Sequence, residues 1–316
     1  MTRFMRKCLP LTCLIVCSAL TFAEEKTRYR IEEPTPAGKY RMVSVTEAET
    51  FCVSDKMDWD SRQETRSVTT AETSEPGENG LRKNKSVVEE YQTTLTMPWA
   101  TMEYDSRYKD KQSKDFIPTQ AAWLGVAITR DIDEQERPKS VEGLDKVYDN
   151  LAKSHNRKMA DMHIGGFKEK PLDFCAAVGH PLSALRTEPK AIGEEWEEKD
   201  TCWTMGYGEC KRELKHVLKS VENGVAVLET KLKFAPVSDV LETVRGKNKI
   251  EFFEAEVTIL KTFELKNGVL RSVQASGEST SHTETIPDEN SEGESLPAKE
   301  IMVSRYKTSS TIEVIE

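Results

Sequence analysis

The sequence predicts a mainly β protein of the α+β class, with a curved antiparallel sheet or open β-barrel and a helical insert at about residues 140–180. Three Asn-Gly pairs, at residues 79–80, 223–224 and 267–268, lie between stretches rich in threonine, valine and alternating charges. Asn-Gly suits a two-residue hairpin turn because both central residues need positive φ. One stretch of helical spacing interrupts the strand patterns, which places a single helical segment within a β-rich chain.

The chain before the insert is predicted to form β-hairpins over residues 38–130. Its strand candidates run over residues 40–52, 61–73, 86–97 and 121–129. Residues 107–118 are charged and polar with little periodicity, so we expect a mobile segment there.

The helical insert is predicted over residues 139–180. Ser140 can cap a helix, and the apolar residues that follow it at helical spacing are Val141, Leu144, Val147, Tyr148 and Leu151. A second, shorter helix fits residues 172–178, between Pro171 and Gly179.

Further β-hairpins are predicted over residues 195–316. After the second Asn-Gly pair, apolar side chains alternate with charged ones, the apolar set being Ala226, Leu228, Leu232 and Phe234. The same period of two precedes the third pair, at Phe253, Ala255, Val257 and Ile259. Residues 283–299 are acidic and contain two prolines, which predicts a mobile loop, and residues 301–315 form a last strand candidate.

Residues 1–23 have the layout of a secretory signal peptide. Arg3, Arg6 and Lys7 precede an apolar stretch over residues 9–20, and Ala23 ends a small-residue cleavage motif. That stretch is shorter than the roughly 20 residues that a membrane-spanning helix needs. We therefore expect cleavage after Ala23 and export of residues 24–316 as a single β-rich domain without a transmembrane segment. Cleavage is favoured over lipid attachment, because the leader cysteines lack a preceding small residue.

Four cysteines remain after this cleavage, an even number that suggests two disulfides in an exported protein. Cys202 with Cys210 is the favoured pair, since the glycines at 206 and 208 permit a tight turn between them. That pairing leaves Cys52 with Cys175. Four reduced, buried thiols are the alternative.

The charge of the chain argues against nucleic acid as a partner. The sequence has 45 basic and 54 acidic residues, and removal of the three basic leader residues leaves 42 against 54, a net charge of −12. Binding to nucleic acid depends mainly on a basic surface that neutralises phosphates. The remaining partner classes are a lipid or apolar ligand and another envelope protein.

The sequence contains no motif that assigns a reaction. It lacks a Gly-x-Ser-x-Gly elbow, a glycine-rich phosphate loop and a His-Glu-x-x-His metal pair. We therefore predict no catalytic residue, metal or cofactor. The predicted ligand-binding residues are apolar or aromatic, and they are Leu144, Val147, Tyr148, Leu151 and Trp203.

The segment with Pro189, Gly193, Glu194 and Trp196, followed by hairpins and a later Asn-Gly-Val-Leu at 267–270, resembles a family of exported bacterial proteins of unknown function. The resemblance covers residues 40–315. Members are often lipoproteins and are common in planctomycetes, and the family implies no catalytic residue. A looser likeness is to the half-open barrels of periplasmic lipoprotein carriers, which hold a lipid tail beneath covering helices. That likeness implies that the helix with Leu144 acts as a lid.

These observations predict an exported cell-envelope protein, non-enzymatic, that binds an apolar ligand or a protein partner in its curved sheet. This hypothesis expects a pocket lined by valine, leucine and phenylalanine with few ionisable groups. One alternative is a structural protein whose core is filled by its own side chains. The other is a secreted hydrolase, which would need two converging carboxylates.

Overall fold

The computed structural model describes residues 27–108, 112–113, 116–134, 136–169, 172, 182–204, 208–243, 246–286 and 299–315. These residues form a mainly β structure with a large antiparallel sheet and a few helices, which confirms the predicted fold class. The predicted leader lies outside the described residues. None of the helices in the described ranges has both the length and the hydropathy that crossing a membrane requires.

Seven strands precede the helical segment. They are β1 (Arg28–Tyr29), β2 (Gly38–Ser54), β3 (Trp59–Thr73), β4 (Arg82–Met97), β5 (Ala100–Asp105), β6 (Ala127–Ile132) and β7 (Pro138–Glu142). The predicted strand over residues 121–129 is replaced at its start by a 3-10 turn over Thr119–Trp123, so β6 begins later than expected.

Within the described residues, the helical segment contains four short helices. They are α1 (Leu144–Ser154), α2 (Arg157–Ala160), α3 (Gly166–Glu169) and α4 (Leu182–Thr187), with a π-helical turn, Asp161–Gly165, between α2 and α3. Of the second helix predicted over residues 172–178, all but Leu172 lies outside the described residues. The predicted cap at Ser140 is wrong: Ser140 belongs to β7 and donates to Asp131 on β6.

In the described chain, eight strands follow the helical segment. They are β8 (Lys190–Ala191), β9 (Glu195–Thr204), β10 (Gly208–Glu222), β11 (Val225–Pro236), β12 (Val240–Thr243), β13 (Gly246–Glu264), β14 (Leu270–Ile286) and β15 (Lys299–Ile315). Residues 283–286, predicted as part of a mobile loop, continue β14 in register with β13. Both central residues of the hairpin have positive φ only at Asn223-Gly224, whereas Gly80 and Gly268 alone do so in the other two pairs.

The sheet joins the first and last parts of the chain through its central strands. Its order is β7-β6-β4-β3-β2-β15-β14-β13-β11-β10-β9, with β5 beside β4 and β12 beside β13. Strand β15 pairs with β2 over nearly their full lengths, from Ser54 with Glu300 to Lys39 with Ile315. The short strands β1 and β8 pair separately.

One face of the sheet, here called the inner face, is identified by a register row across seven strands. The row contains Thr46, Thr308, Ala275, Ile259, Thr230, His216 and Trp196. On these strands the residues in phase with this row are mostly buried or half-buried, whereas the alternate positions of the outer face are more exposed and include many charged side chains. This is the alternation expected of a sheet with one face turned to solvent.

The sheet curls around its inner face. Arg186 on α4 donates both to the Glu136 side chain, in the β6–β7 turn, and to the Asn267 carbonyl, in the β13–β14 turn. In a flat sheet β6 and β13 would be six strand spacings apart, roughly 29 Å. The common contact therefore requires a strongly curved sheet, and within the described chain its end strands, β7 and β9, are not paired with each other.

Two apolar clusters attach the helices near the two ends of the inner face. The first packs α1 against β6 and the 3-10 turn, and it includes Val147, Leu151, Ile128 and Ala122. Gly143 precedes α1 with φ of 101°, and a Cβ added there would lie 2.2 Å from the Ala127 carbonyl oxygen. The second cluster packs α4 against β10, β11 and β13 through Leu182, Leu185, Leu218, Leu228 and Phe263.

Candidate binding surface on the inner face

The inner face has an apolar part and a hydroxyl part. Strands β10, β11 and β13 contribute Leu214, Leu218, Leu228, Leu232, Phe234, Phe253, Ala255, Val257 and Ile259. Strands β14, β15, β2 and β3 contribute mainly small or hydroxyl side chains, among them Ser279, Ser304, Thr308, Ser310, Ser44, Thr46, Thr50, Thr65 and Ser67. The surface is therefore amphipathic across the strands, and it differs from the uniformly apolar pocket expected from the sequence.

The hydroxyl groups of this face pair across the strands. Ser44 and Ser310 are 2.8 Å apart, and Thr46 and Thr308 are 2.9 Å apart between their hydroxyl oxygens. Gly277 on β14 is covered by its neighbour on β15, because an added Cβ would lie 2.7 Å from the Tyr306 ring. Small side chains thus leave room for the ring on the concave side of the sheet.

Four residues form a polar group within the apolar part, here called the nitrogen cluster: Trp196, His216, Thr230 and Lys261. Trp196, His216 and Thr230 are register neighbours on β9, β10 and β11, and Lys261 occupies the next row on β13, opposite Leu228. The His216 ring is fully buried and stacks on the Trp196 ring at a centroid distance of 5.3 Å. His216 Nδ1 is 2.8 Å from the Thr230 hydroxyl.

Nitrogen atoms of this cluster lack hydrogen-bond partners among the described residues. Trp196 Nε1 and His216 Nε2 are buried without a hydrogen-bond partner among the described residues. Lys261 is 8% exposed, and no hydrogen bond or salt bridge from the described part of the chain reaches its ammonium group. The nearest carboxylate to His216, that of Glu198, has its Oε1 3.9 Å from Nε2, beyond hydrogen-bond range.

Burial sets the protonation of the cluster. It lowers the pKa of Lys261 to about 8. It also lowers the pKa of His216 to about 4, with further contributions from the positive charges of Lys261 and Arg212. Arg212 is compensated by Asp200, which accepts from its Nε at 2.9 Å and from its Nη2 at 2.6 Å. Near pH 7 the cluster therefore contains a neutral imidazole and a buried ammonium.

A second group of buried cations consists of Arg82 and Arg186. Arg82 on β4 is 3% exposed and donates from Nε to the Ser74 carbonyl, while its Nη1 has no partner within the described residues. Arg186 lies close enough for the two charges to interact, and Arg82 thereby lowers the pKa of Arg186, after the larger effect of burial. Although the whole chain has a net charge of −9, its inner face carries buried positive charge.

The ligand-binding residues predicted on α1 lie in the first apolar cluster. Val147 and Leu151 are almost fully buried against β6 and the 3-10 turn, together with Leu144 and Tyr148. Tyr148 also donates its hydroxyl to Asp161 Oδ1 at 2.7 Å. Helix α1 thus packs directly on the sheet near its edge. The fifth predicted residue, Trp203 on β9, is opposite Glu209 on β10, and its side chain is outside the described part of the structure.

The predicted disulfide between Cys202 and Cys210 is not formed in the structure. The two residues are buried register partners on β9 and β10, and both are reduced thiols. The paired strands hold this hairpin together through their hydrogen-bond ladder, without the covalent link. Cys52 is also a buried thiol, whose pKa is raised to about 12 by burial and by Glu300. Its predicted partner, Cys175, lies outside the described residues.

The nitrogen cluster was missed in the sequence, although a signal for it exists. The alternation Phe253, Ala255, Val257, Ile259 continues to Lys261, which therefore falls on the apolar side of β13. His216 likewise interrupts the alternation of Leu214 and Leu218 on β10. A charged or imidazole side chain at an inward strand position marks a site where burial needs an explanation.

Comparisons with known proteins add a distant likeness in fold. No family model and no curated protein matches the chain. A solved structure described as lipid-protein interactions in lipovitellin aligns with 89% of this chain at 10% identity and a TM-score of 0.45, and the chain spans only 26% of the lipovitellin chain. The translocator domain of the autotransporter NalP from Neisseria meningitidis aligns with 88% of this chain and 89% of its own, at 8% identity and a TM-score of 0.21. These values are too low to identify a relative or a function.

Proposed function

We propose that this protein is an exported, non-enzymatic binding protein that holds an amphipathic, lipid-like ligand on the inner face of its curved sheet. The observation that carries the proposal is the composition of that face. Apolar side chains of β10, β11 and β13 adjoin the hydroxyl side chains of β14, β15, β2 and β3 on one concave surface. An apolar ligand segment gains free energy by leaving water, and neighbouring polar groups orient its other end.

The position of the helices supports this proposal. The apolar clusters of α1 and α4 lie near opposite ends of the strand order. The central inward residues of β2, such as Ser44, Thr46 and Thr50, belong to neither cluster and are half-buried. The middle of the inner face is therefore a surface on which a ligand could lie between the helices.

The exported location belongs to the proposal and rests on the leader pattern of residues 1–23. Membership of the exported bacterial family of unknown function, and a place in the cell envelope, are part of the same proposal. There are two competing possibilities. The inner face binds a protein segment instead of a lipid-like ligand, or it is filled by its own side chains.

A second candidate, a hydrolase that uses carboxylates, has one specific observation in its favour. A groove of about 360 Å³ on the outer face is lined by acidic side chains of three strands, namely Glu47, Glu64, Glu103 and Asp105. Glu47 and Glu64 are register neighbours on β2 and β3. Asp105 is bound by Arg107, with an Nη2–Oδ2 distance of 3.0 Å, which favours a structural role for that carboxylate. Substitution of Glu64 with glutamine, with hydrolysis of ester and glycoside substrates as the readout, tests this candidate.

The binding proposal is tested by closing the inner face with a large side chain. Ser279, inward on β14, is replaced by tryptophan, and the adjacent outward residue Glu278 receives the same substitution as a matched control. We expect protein purified from its own envelope to carry a lipid in native mass spectrometry, and to lose it in Ser279→Trp but not in Glu278→Trp. A wild-type protein that carries no lipid and binds neither dodecanol nor dodecanoate would contradict the proposal.

A further inference from the structure

We infer that the nitrogen cluster binds the anionic oxygen group, a carboxylate or a phosphate, of the bound ligand; this inference rests on the proposed function for the ligand's apolar part. Lys261 supplies the positive charge, and His216 Nε2 and Trp196 Nε1 supply N–H donors. Trp196 Nε1 and His216 Nε2 are buried and have no hydrogen-bond partner within the described chain, and the Lys261 residue is 8% exposed.

The register places the three side chains on one face of the sheet, within four adjacent strands. Trp196 and His216 are directly opposite each other on β9 and β10, so their side chains leave the sheet on the same side. Lys261 is a diagonal neighbour of Thr230, the hydroxyl partner of His216, and diagonal side chains about 7–8 Å apart are within reach of a long side chain. Carboxylate and phosphate oxygens accept several hydrogen bonds at once, which matches several convergent donors.

The hydrogen bond to Thr230 is compatible with a donor role for His216. When the Thr230 hydroxyl donates to Nδ1, the proton of the neutral imidazole is on Nε2. Nε2 is the nitrogen that has no partner in the described structure. The imidazole can therefore donate to an anion without becoming charged.

Lys261 is distinguished from its charged neighbours by the absence of a counterion. Arg212 is paired with Asp200, and Lys190, which lies over the Trp196 ring, is paired with Glu188 at 2.9 Å. Glu198 also faces the cluster, but its side chain is 42% exposed. A buried ammonium is costly without an opposite charge, and a ligand anion would supply one in a site from which water is largely excluded.

The experiment uses three probes with the full chain: dodecanoate, which has a tail and a charge; dodecanol, which has the tail alone; and inorganic phosphate, which has the charge alone. We expect wild-type protein to bind dodecanoate about 10-fold more tightly than dodecanol. In Lys261→Met that difference should disappear while the affinity for dodecanol is unchanged. Lys231→Met, at an exposed outward position on β11, is the matched control and should behave as wild type.

Two results separate this inference from the proposed function. Equal preference for dodecanoate in wild type and Lys261→Met would overturn the anion site and leave the proposed function intact. Binding of phosphate that depends on Lys261, with no binding of either long-chain probe, would support the anion site and overturn the proposed function.

A second measurement does not depend on affinity. The ring of His216 is titrated by NMR with and without dodecanoate. A bound anion should raise the pKa of His216, because it opposes the positive charge of Lys261. An unchanged titration in a saturated complex would place the carboxylate elsewhere and contradict the inference.

Discussion

Arg186 and Glu136 form a buried ion pair, with 2.8 Å between Nη2 and Oε1, although α4 and the β6–β7 turn pack near opposite ends of the sheet. The Arg186 side chain is 5% exposed and that of Glu136 18% exposed. Arg186 also donates to the carbonyls of Glu33 and Asn267 and to the Thr35 hydroxyl, and Thr35 in turn hydrogen-bonds Glu136. This network joins four segments that are distant in the sequence and holds the sheet in its curled form.

Substitution of Arg186 with methionine should lower the free energy of unfolding by about 3 kcal/mol, because it leaves a partly buried carboxylate and several acceptors without their donor. Glu136→Gln should cost less, since an amide can still accept a hydrogen bond. Denaturant titration measures both. Arg305→Met removes the exposed pair with Glu278 and should leave the unfolding midpoint unchanged. Equal midpoints for Arg186→Met and Arg305→Met would show that the network does not stabilise the curl.

His216 should make the protein sensitive to mild acid. Its pKa is about 4 in the folded protein against an ordinary value of 6.5, so the unfolded chain takes up a proton first as the pH falls. Stability should therefore decrease between about pH 6.5 and pH 4, by a total on the order of 3 kcal/mol from this group. The difference in unfolding free energy between wild type and His216→Phe, measured across this range, isolates the effect. A flat profile for His216→Phe would contradict the prediction.

Lys261 should also make stability rise with pH, but at alkaline pH. Its folded pKa of about 8 lies below the ordinary 10.5, so the native protein releases this proton while the unfolded chain keeps it. Stability from this group should rise between about pH 8 and pH 10.5, by on the order of 3 kcal/mol. Titrating tyrosines and cysteines affect wild type and Lys261→Met alike, so the difference between them is the measurement. Lys261→Met should be the more stable below pH 8, and a less stable variant would show that the ammonium has a partner in the free protein.

Gly143 should not tolerate a side chain. Gly143→Ala combines a φ of 101° with a Cβ 2.2 Å from the Ala127 carbonyl oxygen, and we expect a loss of about 3 kcal/mol or more. Gly165→Ala is the control, because its Cβ would approach nothing closer than 3.7 Å. Thermal unfolding of the two variants should differ widely. Similar melting temperatures would mean that α1 can shift away from β6 at little cost.

Leu151 should act in the core and not in ligand binding. Leu151→Ala should cost about 2–5 kcal/mol, because the side chain is 2% exposed within the first apolar cluster. Its affinity for dodecanol, measured below the unfolding transition, should equal that of wild type. Weaker binding with unchanged stability would restore the interpretation of α1 as a lid.

Local sequence patterns predicted the strands but did not predict the candidate binding site. The alternation that includes Val257 and Ile259 predicted β13, and helical spacing predicted the buried side of α1 from Leu144 to Leu151. The same apolar spacing was also interpreted as a ligand-facing surface, because periodicity shows which side of a helix is buried but not whether protein or ligand buries it. The start of α1 was misplaced at Ser140, whose hydroxyl bonds to Asp131 across a β ladder that the sequence does not show.

By itself, the amino-acid sequence determined the β-rich class, the hairpin turn at Asn223-Gly224, the helical segment and the alternation of inward and outward side chains. These depend on φ preferences and on periodicities within a few residues. Only the tertiary structure decided which inward residues become neighbours. Lys261, His216 and Trp196 share the inner face through the pairing of β13, β11, β10 and β9, and Arg186 meets Glu136 through the curl of the whole sheet. Such contacts depend on strand order and register between distant segments, which no local pattern specifies.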